Sequence, residues 1–265
     1  MKTVALLLTS LAVTMALQAQ TLTKDLPAFD AVVSSPLIDV VLAEGDRESV
    51  RIEYQGVAAD KINVEVRRKT LRLYLDEARL NTSKRRGSWK SPTSWEKLYP
   101  GAKLTAYVTY RKLDCIQVRG EQKLVCRNVL RGDRLKLELM GENQAEIAGL
   151  RAKRLRVSLY GENKINVTDI NTDKLRVSLF GENTIDVQSG TATAQKYRSF
   201  GESKVYASGL QGETIKTNLF GESRLDLNAS ESLRMTAFGE SEVRNSGNGQ
   251  MRKRLTIGEN RLHHE

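Results

Sequence analysis

Residues 175–187, LRVSLFGENTIDV, nearly repeat a stretch that stands twenty residues earlier, LRVSLYGENKINV at 155–167. The Gly-Glu pair inside both phrases recurs through the second half of the chain at intervals of 18 to 21 residues. Its copies are Gly120-Glu121, Gly141-Glu142, Gly161-Glu162, Gly181-Glu182, Gly201-Glu202, Gly221-Glu222, Gly239-Glu240 and Gly258-Glu259. A short, regular period of this kind is typical of proteins that stack one structural unit on the next.

Apolar side chains alternate with polar ones on both sides of each glycine. In the quoted stretch Leu175, Val177 and Leu179 precede the glycine, and Ile185 and Val187 follow it. Alternation with a period of two predicts strands with one buried face and one wet face. Twenty residues at about 3.3 Å each give a perimeter of about 66 Å, which suits one turn of a flattened coil.

Stacked copies of one phrase predict an all-β fold of a specific kind. We expect a single-stranded, right-handed parallel β-helix, or solenoid, with coils of about 20 residues. A meander of hairpins is the alternative. It is less favoured, because antiparallel pairing would not place equivalent residues of successive copies beside one another.

The chain divides into a leader and one domain. Residues 1–20 contain Lys2 and then the apolar run 4–17, which is the pattern of a secretory signal peptide. A membrane anchor is the alternative, but the run is shorter than the roughly 20 residues that a spanning helix needs. No later segment is apolar enough to span a membrane. We expect one β-helical domain over 21–265, with N-terminal strands at 29–78, a basic, tryptophan-containing insert at 79–102 and Gly-Glu-marked coils at 103–262.

The formal net charge is +10, and it falls to +9 when Lys2 leaves with the leader. For an exported protein this basic balance favours contact with an anionic polysaccharide or another cell-surface component, whereas export argues against nucleic acid. Solubility alone would also explain the charge. We expect a secreted protein, in the periplasm or on the outer surface of a Gram-negative bacterium, that needs no cofactor.

Signatures of catalysis are missing from the sequence. The two histidines, His263 and His264, stand at the end, and there is no Ser-His-Asp set, metal-ligand cluster or phosphate loop. We therefore predict no catalytic residue. Cys115 and Cys126 fall on opposite faces of the predicted wall, so we expect no disulfide between them and a core position for Cys126.

The residue two positions after each glycine faces inward at the corner by alternation. We predict that these amides and hydroxyls bond to one another along the stack, as side-chain ladders do in stacked strands, and have a structural role. The members of this ladder are Asn143, Asn163, Asn183, Ser203, Ser223 and Ser241.

A ring precedes most of the later glycines and faces outward by alternation. Rings stacked about 4.8 Å apart would form an apolar stripe of the size that marks an interface, which favours a homo-oligomer. The alternative is that the corner turns the rings into the core, and the sequence does not decide between the two. The row consists of Tyr160, Phe180, Phe200, Phe220 and Phe238.

Every one of these glycines is followed by glutamate, which would place carboxylates about 4.8 Å apart along one side. In most copies a lysine or arginine stands two positions after the glutamate. These cations would interleave with the glutamates and offset their repulsion, so the row can be explained without a bound ligand. The acids without such a cation form a candidate site for a hard cation such as calcium, which prefers carboxylate oxygens. They are Glu142, Glu182, Glu240 and Glu242.

A second row of cations stands five positions before the glycines. It would bind a linear polyanion along the stack, although a solvated face is the commoner explanation of a charged row. The row consists of Lys136, Arg156, Arg176, Lys196, Lys216 and Arg234.

The insert at 79–102 interrupts the strand pattern and is longer than the usual loop of a compact fold, which is typical of a functional or disordered segment. Its tryptophans lie among cations and would stack on sugar rings. The alternative is that they fold back over the domain as a lid. The candidate binding residues are Arg85, Arg86, Trp89, Trp95 and Tyr99.

The order of these segments resembles a known family. Strand patterns at 37–42 and 49–54 surround Glu44-Gly45-Asp46, and a third pattern follows at 61–76. After the insert come LTAYVTY at 104–110 and LDCIQVRG at 113–120, and then the glycine-marked copies. Over about residues 28–245 the chain resembles the auto-transporter adhesin head family, also called the GIN domain family. The resemblance implies a β-helical secreted or surface domain of a bacterial envelope and supplies no active-site residues.

Two functions are consistent with these features. We expect a non-enzymatic, adhesin-like envelope protein that binds glycan or another surface partner. The alternative is a carbohydrate-active enzyme of the polysaccharide lyase type that acts on an anionic polysaccharide. Such enzymes bring acids and bases together in a cleft, whereas the acids of this chain repeat evenly.

Overall fold

The computed structural model describes residues 20–76, 78 and 95–264. Within them the fold is all-β, as predicted, apart from a 3-10 turn at Ala59–Lys61 and one helical turn, α1, at Trp95–Leu98. The strands are β1 (Gln20–Asp25), β2 (Ala31–Ser34), β3 (Ile38–Glu44), β4 (Ser49–Gln55), β5 (Ile62–Arg67), β6 (Thr70–Leu75), β7 (Lys103–Tyr110), β8 (Cys115–Gly120), β9 (Lys123–Phe200), β10 (Ser203–Asn245), β11 (Gln250–Ile257) and β12 (Asn260–His264). The signal peptide over 1–20 lies outside the described residues except for Gln20, which begins β1, and it stays a prediction.

The sheet mixes antiparallel and parallel neighbours. Strand β4 pairs antiparallel with β1 and β7, and β5 pairs antiparallel with β6. Strand β7 pairs in parallel with β3, and β2 pairs in parallel with β6 and β8. The long strands β9 and β10 then continue the sheet in parallel, with β11 and β12 both paired to β10.

The prediction of a single right-handed parallel β-helix is therefore wrong. The fold is a curled sheet of mixed strand direction, because three pairs in the N-terminal part are antiparallel. One of these pairs shows why. Strands β5 and β6 are joined by Arg68 (φ 50°) and Lys69 (φ 60°), and two successive residues with positive φ form the tight turn that suits a β-hairpin.

The part of the chain that contains the Gly-Glu phrases does place like residues side by side. Asn183 lies beside Ser203 and Phe200 lies beside Phe220, each pair twenty residues apart and parallel. The predicted alternation is confirmed in the quoted stretch, where Leu175, Leu179 and Ile185 are buried. Their side chains pack into one hydrophobic core that continues into the N-terminal strands.

The glycine of each phrase is required by the bend of the chain. Gly181 has a φ of 97°, a value that other residues rarely adopt. A Cβ atom there would lie 2.6 Å from the carbonyl oxygen of Gly161. The preceding and following copies are thus held in close backbone contact, and the residues beside each glycine are fixed in position.

The cysteines lie as expected. Cys126 is buried in the core and Cys115 is partly exposed, and both are free thiols. Burial raises the pKa of the Cys126 thiol to about 12, so it stays protonated and behaves as an apolar side chain. In the described ranges no helix is long and apolar enough to cross a membrane.

Candidate functional site

A groove of about 860 Å³ runs along the copies of the Gly-Glu phrase, and we call it the charged trough. One flank is the row of glutamates: Glu121, Glu142, Glu162, Glu182, Glu202, Glu222, Glu240 and Glu259. The other flank lies two positions further along each copy: Lys123, Gln144, Lys164, Thr184, Lys204, Arg224, Glu242 and Arg261. The floor between them is Gln122, Asn143, Asn163, Asn183, Ser203, Ser223 and Ser241. The trough arises because the bend at each glycine buries the floor residue and leaves its two polar neighbours at the surface.

The floor of the trough contains a chain of amide hydrogen bonds. Asn143 donates from Nδ2 to Oδ1 of Asn163 at 2.9 Å, and Asn163 donates in the same way to Asn183 at 3.0 Å. The oxygen of Asn143 accepts from the backbone N–H of Gln122 at 3.2 Å. These bonds connect neighbouring copies and give hydrogen-bond partners to buried amide atoms. Burial of such atoms without partners would cost stability.

The chain of amide bonds ends where serine replaces asparagine. Asn183 Nδ2 and Ser203 Oγ are both buried and have no hydrogen-bond partner among the described residues. The same is true of two other floor atoms, Ser241 Oγ and Gln122 Oε1. The serine side chain is shorter than the asparagine side chain, so Ser203 does not present an acceptor where Asn183 does. Ser223 bonds instead to the hydroxyl of Ser199 at 3.1 Å.

The glutamates that follow the glycines are not held in contact ion pairs. Within the described ranges none of these eight side chains forms an ion pair, and the offset of their repulsion by interleaved cations stays a prediction. Glu242 differs, because Arg244 Nη2 lies 3.1 Å from its Oε1 and His263 Nε2 lies 3.5 Å away. The hydrogen bond from Arg244 lowers the pKa of Glu242.

The predicted cation site does not form a single cluster. The described residues contain no group of three or more His, Cys, Asp or Glu side chains placed to hold a metal ion. Glu142, Glu182 and Glu240 are separate members of one row, and Glu242 is engaged by Arg244. A cation-binding role for these four acids stays a prediction.

A second groove, of about 390 Å³, is strongly basic, and we call it the basic cleft. It is lined by Asp114, Arg134, Leu135, Lys136, Arg154, Leu155, Arg156, Lys174 and Arg176. Six cations from three neighbouring copies thus surround one space with one acid. Lys136 pairs with Glu138, while the other five cations form no ion pair with a described residue.

The basic cleft combines two rows, of which sequence reasoning identified only one. Lys136, Arg156 and Arg176 belong to the predicted basic row. Arg134, Arg154 and Lys174 stand two positions earlier and were missed, although the spacing of two places them on the same face of the strand. In later copies these positions hold Ala194, Thr214 and Ser232, so the cleft is confined to three copies.

Electrostatic crowding continues beyond the cleft along the predicted basic row. Burial lowers the pKa of Lys196, and the nearby cations Arg198, Arg176 and Lys216 lower it further. A cation whose charged form is disfavoured by its neighbours is stabilised when an anion binds close by.

The aromatic row lies on the surface, which settles the question that the sequence left open. Tyr160, Phe180, Phe200 and Phe220 are 36–41% exposed, and Phe238 is partly buried. Successive rings are stacked with centroids 4.8–5.2 Å apart and planes within 3° of parallel. Since each inner ring has a neighbour on both faces, the row presents ring edges to the outside. A role of this row in a homo-oligomer stays a prediction.

The insert is described only in part. Arg85, Arg86 and Trp89 lie outside the described residues, and Trp95 begins α1. Tyr99 packs against the core, and its hydroxyl donates to the carbonyl oxygen of Asp76 at 2.7 Å. This contact fixes the return of the chain from the insert to β7. The glycan-binding role of the five insert residues stays a prediction.

Solved structures share this fold over nearly the whole chain. A "Putative lipid binding protein" from Parabacteroides distasonis ATCC 8503 has a TM-score of 0.78 at 16% identity and covers 93% of this chain and 96% of its own. A "putative adhesin" from Parabacteroides merdae ATCC 43184 has a TM-score of 0.71 at 17% identity and covers 94% and 96%. A "putative adhesin" from Bacteroides fragilis NCTC 9343 has a TM-score of 0.63 at 18% identity and covers 94% and 97%. At these identities the likeness establishes the fold alone. No curated protein matches the sequence.

The family resemblance drawn from the strand order is confirmed. The family model described as "Putative auto-transporter adhesin, head GIN domain" matches residues 28–249, which is most of the chain. The chain belongs to the auto-transporter adhesin head family, the GIN domain family.

Proposed function

We propose that this chain is a non-enzymatic, adhesin-like module of the bacterial envelope that binds an anionic polysaccharide in the basic cleft. The observation that carries the proposal is the convergence of six cations on one groove, five of them without an ion pair among the described residues. These five cations are exposed, and two rows from three copies line the same space.

The energy of this arrangement favours an anionic ligand. Like charges on neighbouring strands about 4.8 Å apart repel by roughly 1 kcal/mol per pair in water and by about 3 to 4 kcal/mol at an effective dielectric constant near 20. A linear polyanion that lies along the cleft would relieve several such repulsions at once. Its carboxylates would be spaced along the same direction as the cations.

The family and its named relatives support a binding role at a surface or in a secreted form. The family description names an adhesin head, and relatives of the same fold carry the names adhesin and lipid binding protein. The lyase alternative lacks a comparable observation. The acids of the charged trough are spread along eight copies, and no residue of the trough lines the basic cleft.

The test is the binding of oligogalacturonate, a linear carboxylated polysaccharide fragment, to the full chain by calorimetry. We expect the double variant Arg156→Gln/Arg176→Gln to bind about two- to thirtyfold more weakly, since each lost charge contact is worth about 0.2 to 1 kcal/mol. The matched control is Arg47→Gln/Lys103→Gln, which removes two exposed cations outside the cleft. Equal losses in both variants would contradict the proposal.

Two further arms separate the alternatives. Vesicles that contain anionic phosphatidylglycerol test the lipid function in the name of one relative. Binding to these vesicles but not to oligogalacturonate would replace the polysaccharide with a lipid surface. Release of unsaturated products from oligogalacturonate by the wild-type chain would establish the lyase alternative.

We also propose that two copies of the chain associate through the aromatic row, since four of its rings expose more than a third of their surface in one continuous line. Sedimentation of the full chain is expected to show association that Phe180→Ser/Phe220→Ser weakens. Tyr206→Ser is the control, because Tyr206 is 37% exposed but stands outside the row. A wild-type chain that stays monomeric at all concentrations would refute this proposal.

A further inference from the structure

We propose that the charged trough is a second binding site, distinct from the basic cleft, that takes an uncharged polyhydroxylated chain, and that this site is centred on Asn183 and Ser203. A neutral, linear oligosaccharide is the ligand class. The trough and the cleft share no lining residue, so the two sites are physically separate.

The first support is the floor of the trough. Asn183 and Ser203 are each 3% exposed, and the described residues offer no partner to Asn183 Nδ2 or to Ser203 Oγ. Buried polar atoms without partners are unusual in native proteins, because each of them has lost its water without gaining a hydrogen bond. Both atoms have almost no accessible surface, so a ligand hydroxyl reaches them only when the side chains of Asn183 and Ser203 turn toward the trough. The two residues lie on adjacent copies, and one ligand hydroxyl could then accept from the amide and bond to the serine hydroxyl.

The second support is the charge of the two flanks. Nine acidic and five basic side chains line the trough, and the acids dominate one flank while the cations are on the other. A polyanion would be repelled by the row of glutamates, and a polycation, although attracted by that row, would be repelled by the five lysines and arginines of the other flank. A hydroxyl group donates to a carboxylate and accepts from an ammonium or guanidinium group, so a polyhydroxylated chain is complementary to both flanks.

The third support is the regularity of the trough along its length. The same arrangement of acid, floor amide or hydroxyl and polar partner repeats in copy after copy. Copies follow one another at about 4.8 Å, the spacing of neighbouring strands, so the trough offers a linear series of similar contacts. A linear polymer of one sugar uses such a series, whereas a small molecule would use a single copy.

Stacking on aromatic faces does not contribute to this site. The neighbouring aromatic row has its ring faces covered by other rings of the row. Recognition in the trough therefore depends on hydrogen bonds, and the most informative variant is one that supplies the missing partner from the protein. Ser203→Asn does so, because an asparagine at 203 would present its Oδ1 to Asn183 as Asn183 presents its own to Asn163.

The experiment titrates the full chain with four neutral hexasaccharides, namely cellohexaose, maltohexaose, mannohexaose and hexa-N-acetylchitohexaose, and follows the side-chain amide signals of Asn183 by NMR. We expect at least one of them to shift these signals and to bind at least tenfold more weakly to Ser203→Asn. Ser208→Asn, at an exposed serine outside the trough, should bind like the wild type. Arg156→Gln/Arg176→Gln should also leave this affinity unchanged, which separates the site from the basic cleft.

Three results would overturn the proposal. The first would be that none of the four hexasaccharides shifts the Asn183 signals. The second would be that Ser203→Asn binds as tightly as the wild type. The third would be that an oligogalacturonate of equal length shifts the same signals more strongly than every neutral hexasaccharide. In the last case the trough would select charge and not hydroxyl groups.

Discussion

Asn163 donates from its side-chain nitrogen to the side-chain oxygen of Asn183 at 3.0 Å, but the side-chain nitrogen of Asn183 has no such acceptor in the next copy among the described residues. One substitution in the sequence, serine for asparagine at position 203, accounts for the difference. The chain of side-chain amide hydrogen bonds that begins at Asn143 therefore stops at this point.

Ser203→Asn should stabilise the protein in the absence of ligand. The new side chain would accept the hydrogen bond that Asn183 now lacks, and a neutral hydrogen bond of this kind is worth about 0.5 to 1.5 kcal/mol. Urea unfolding measures the free energy of unfolding of this variant against Ser208→Asn, which adds the same side chain at an exposed site. A lower stability for Ser203→Asn than for the wild type would show that position 203 has no room for the amide.

Gly181→Ala should be markedly less stable than the wild type. Its methyl group would meet the carbonyl oxygen of Gly161 at 2.6 Å, in addition to the strain of a positive φ. Gly101→Ala is the matched control, because Gly101 also has a positive φ, but no atom of the described residues beyond its two chain neighbours lies within 4 Å of the added carbon. We expect Gly181→Ala to cost at least about 1 kcal/mol more than Gly101→Ala in thermal or urea unfolding. Equal costs would mean that the copies are not in close backbone contact.

Phe200→Ala should cost more stability than its exposure suggests. Phe200 is 41% exposed, but its ring stacks on Phe180 at 5.1 Å and on Phe220 at 4.8 Å. Aromatic pairs contribute about 0.5 to 1.5 kcal/mol each beyond the area they bury, so the loss of two pairs should cost about 1 to 3 kcal/mol. Tyr206→Ala, at a ring of similar exposure outside the row, should cost clearly less. Similar losses of unfolding free energy in the two variants would refute a stabilising role for the stack.

Glu242→Gln should destabilise the protein at neutral pH and have a smaller effect at low pH. The hydrogen bond from Arg244 lowers the pKa of Glu242 in the folded state. A lowered carboxyl pKa adds stability above the unfolded-state pKa, and this stability is lost as the pH falls through the folded-state value. The pair is partly exposed, so we expect less than about 1 kcal/mol at pH 7. Glu240→Gln, at a neighbouring acid that forms no ion pair with a described residue, should have little effect. A loss in Glu242→Gln that persists at pH 3 would contradict this account.

The local order of the Gly-Glu copies could be predicted from the sequence, whereas the direction of the N-terminal strands could not. The alternation of Leu175, Val177 and Leu179 indicates one buried face whatever the partner strand. The hairpin at Arg68 and Lys69 carries no Asn-Gly or Gly signal, so its antiparallel pairing was invisible to pattern reasoning.

For the candidate sites, the sequence indicated individual residues but not their arrangement in space. The letters Arg-Leu-Lys at 134–136 and Arg-Leu-Arg at 154–156 contain both rows of the basic cleft, but only the fold shows that they line one space. The outward position of the aromatic row and the width of the charged trough depend on how sharply the chain bends at each glycine. That bend is set by backbone contacts between copies, which the sequence does not display.

If the basic cleft binds an anionic polysaccharide, the affinity for oligogalacturonate should depend on salt concentration through the cations of the cleft. For wild type and Arg156→Gln/Arg176→Gln, the affinity is measured by calorimetry over a series of salt concentrations. Removal of two cation contacts should reduce the slope of log affinity against log salt by at most about one for each contact. An unchanged slope in the double variant, or a change of equal size in Arg47→Gln/Lys103→Gln, would contradict the account.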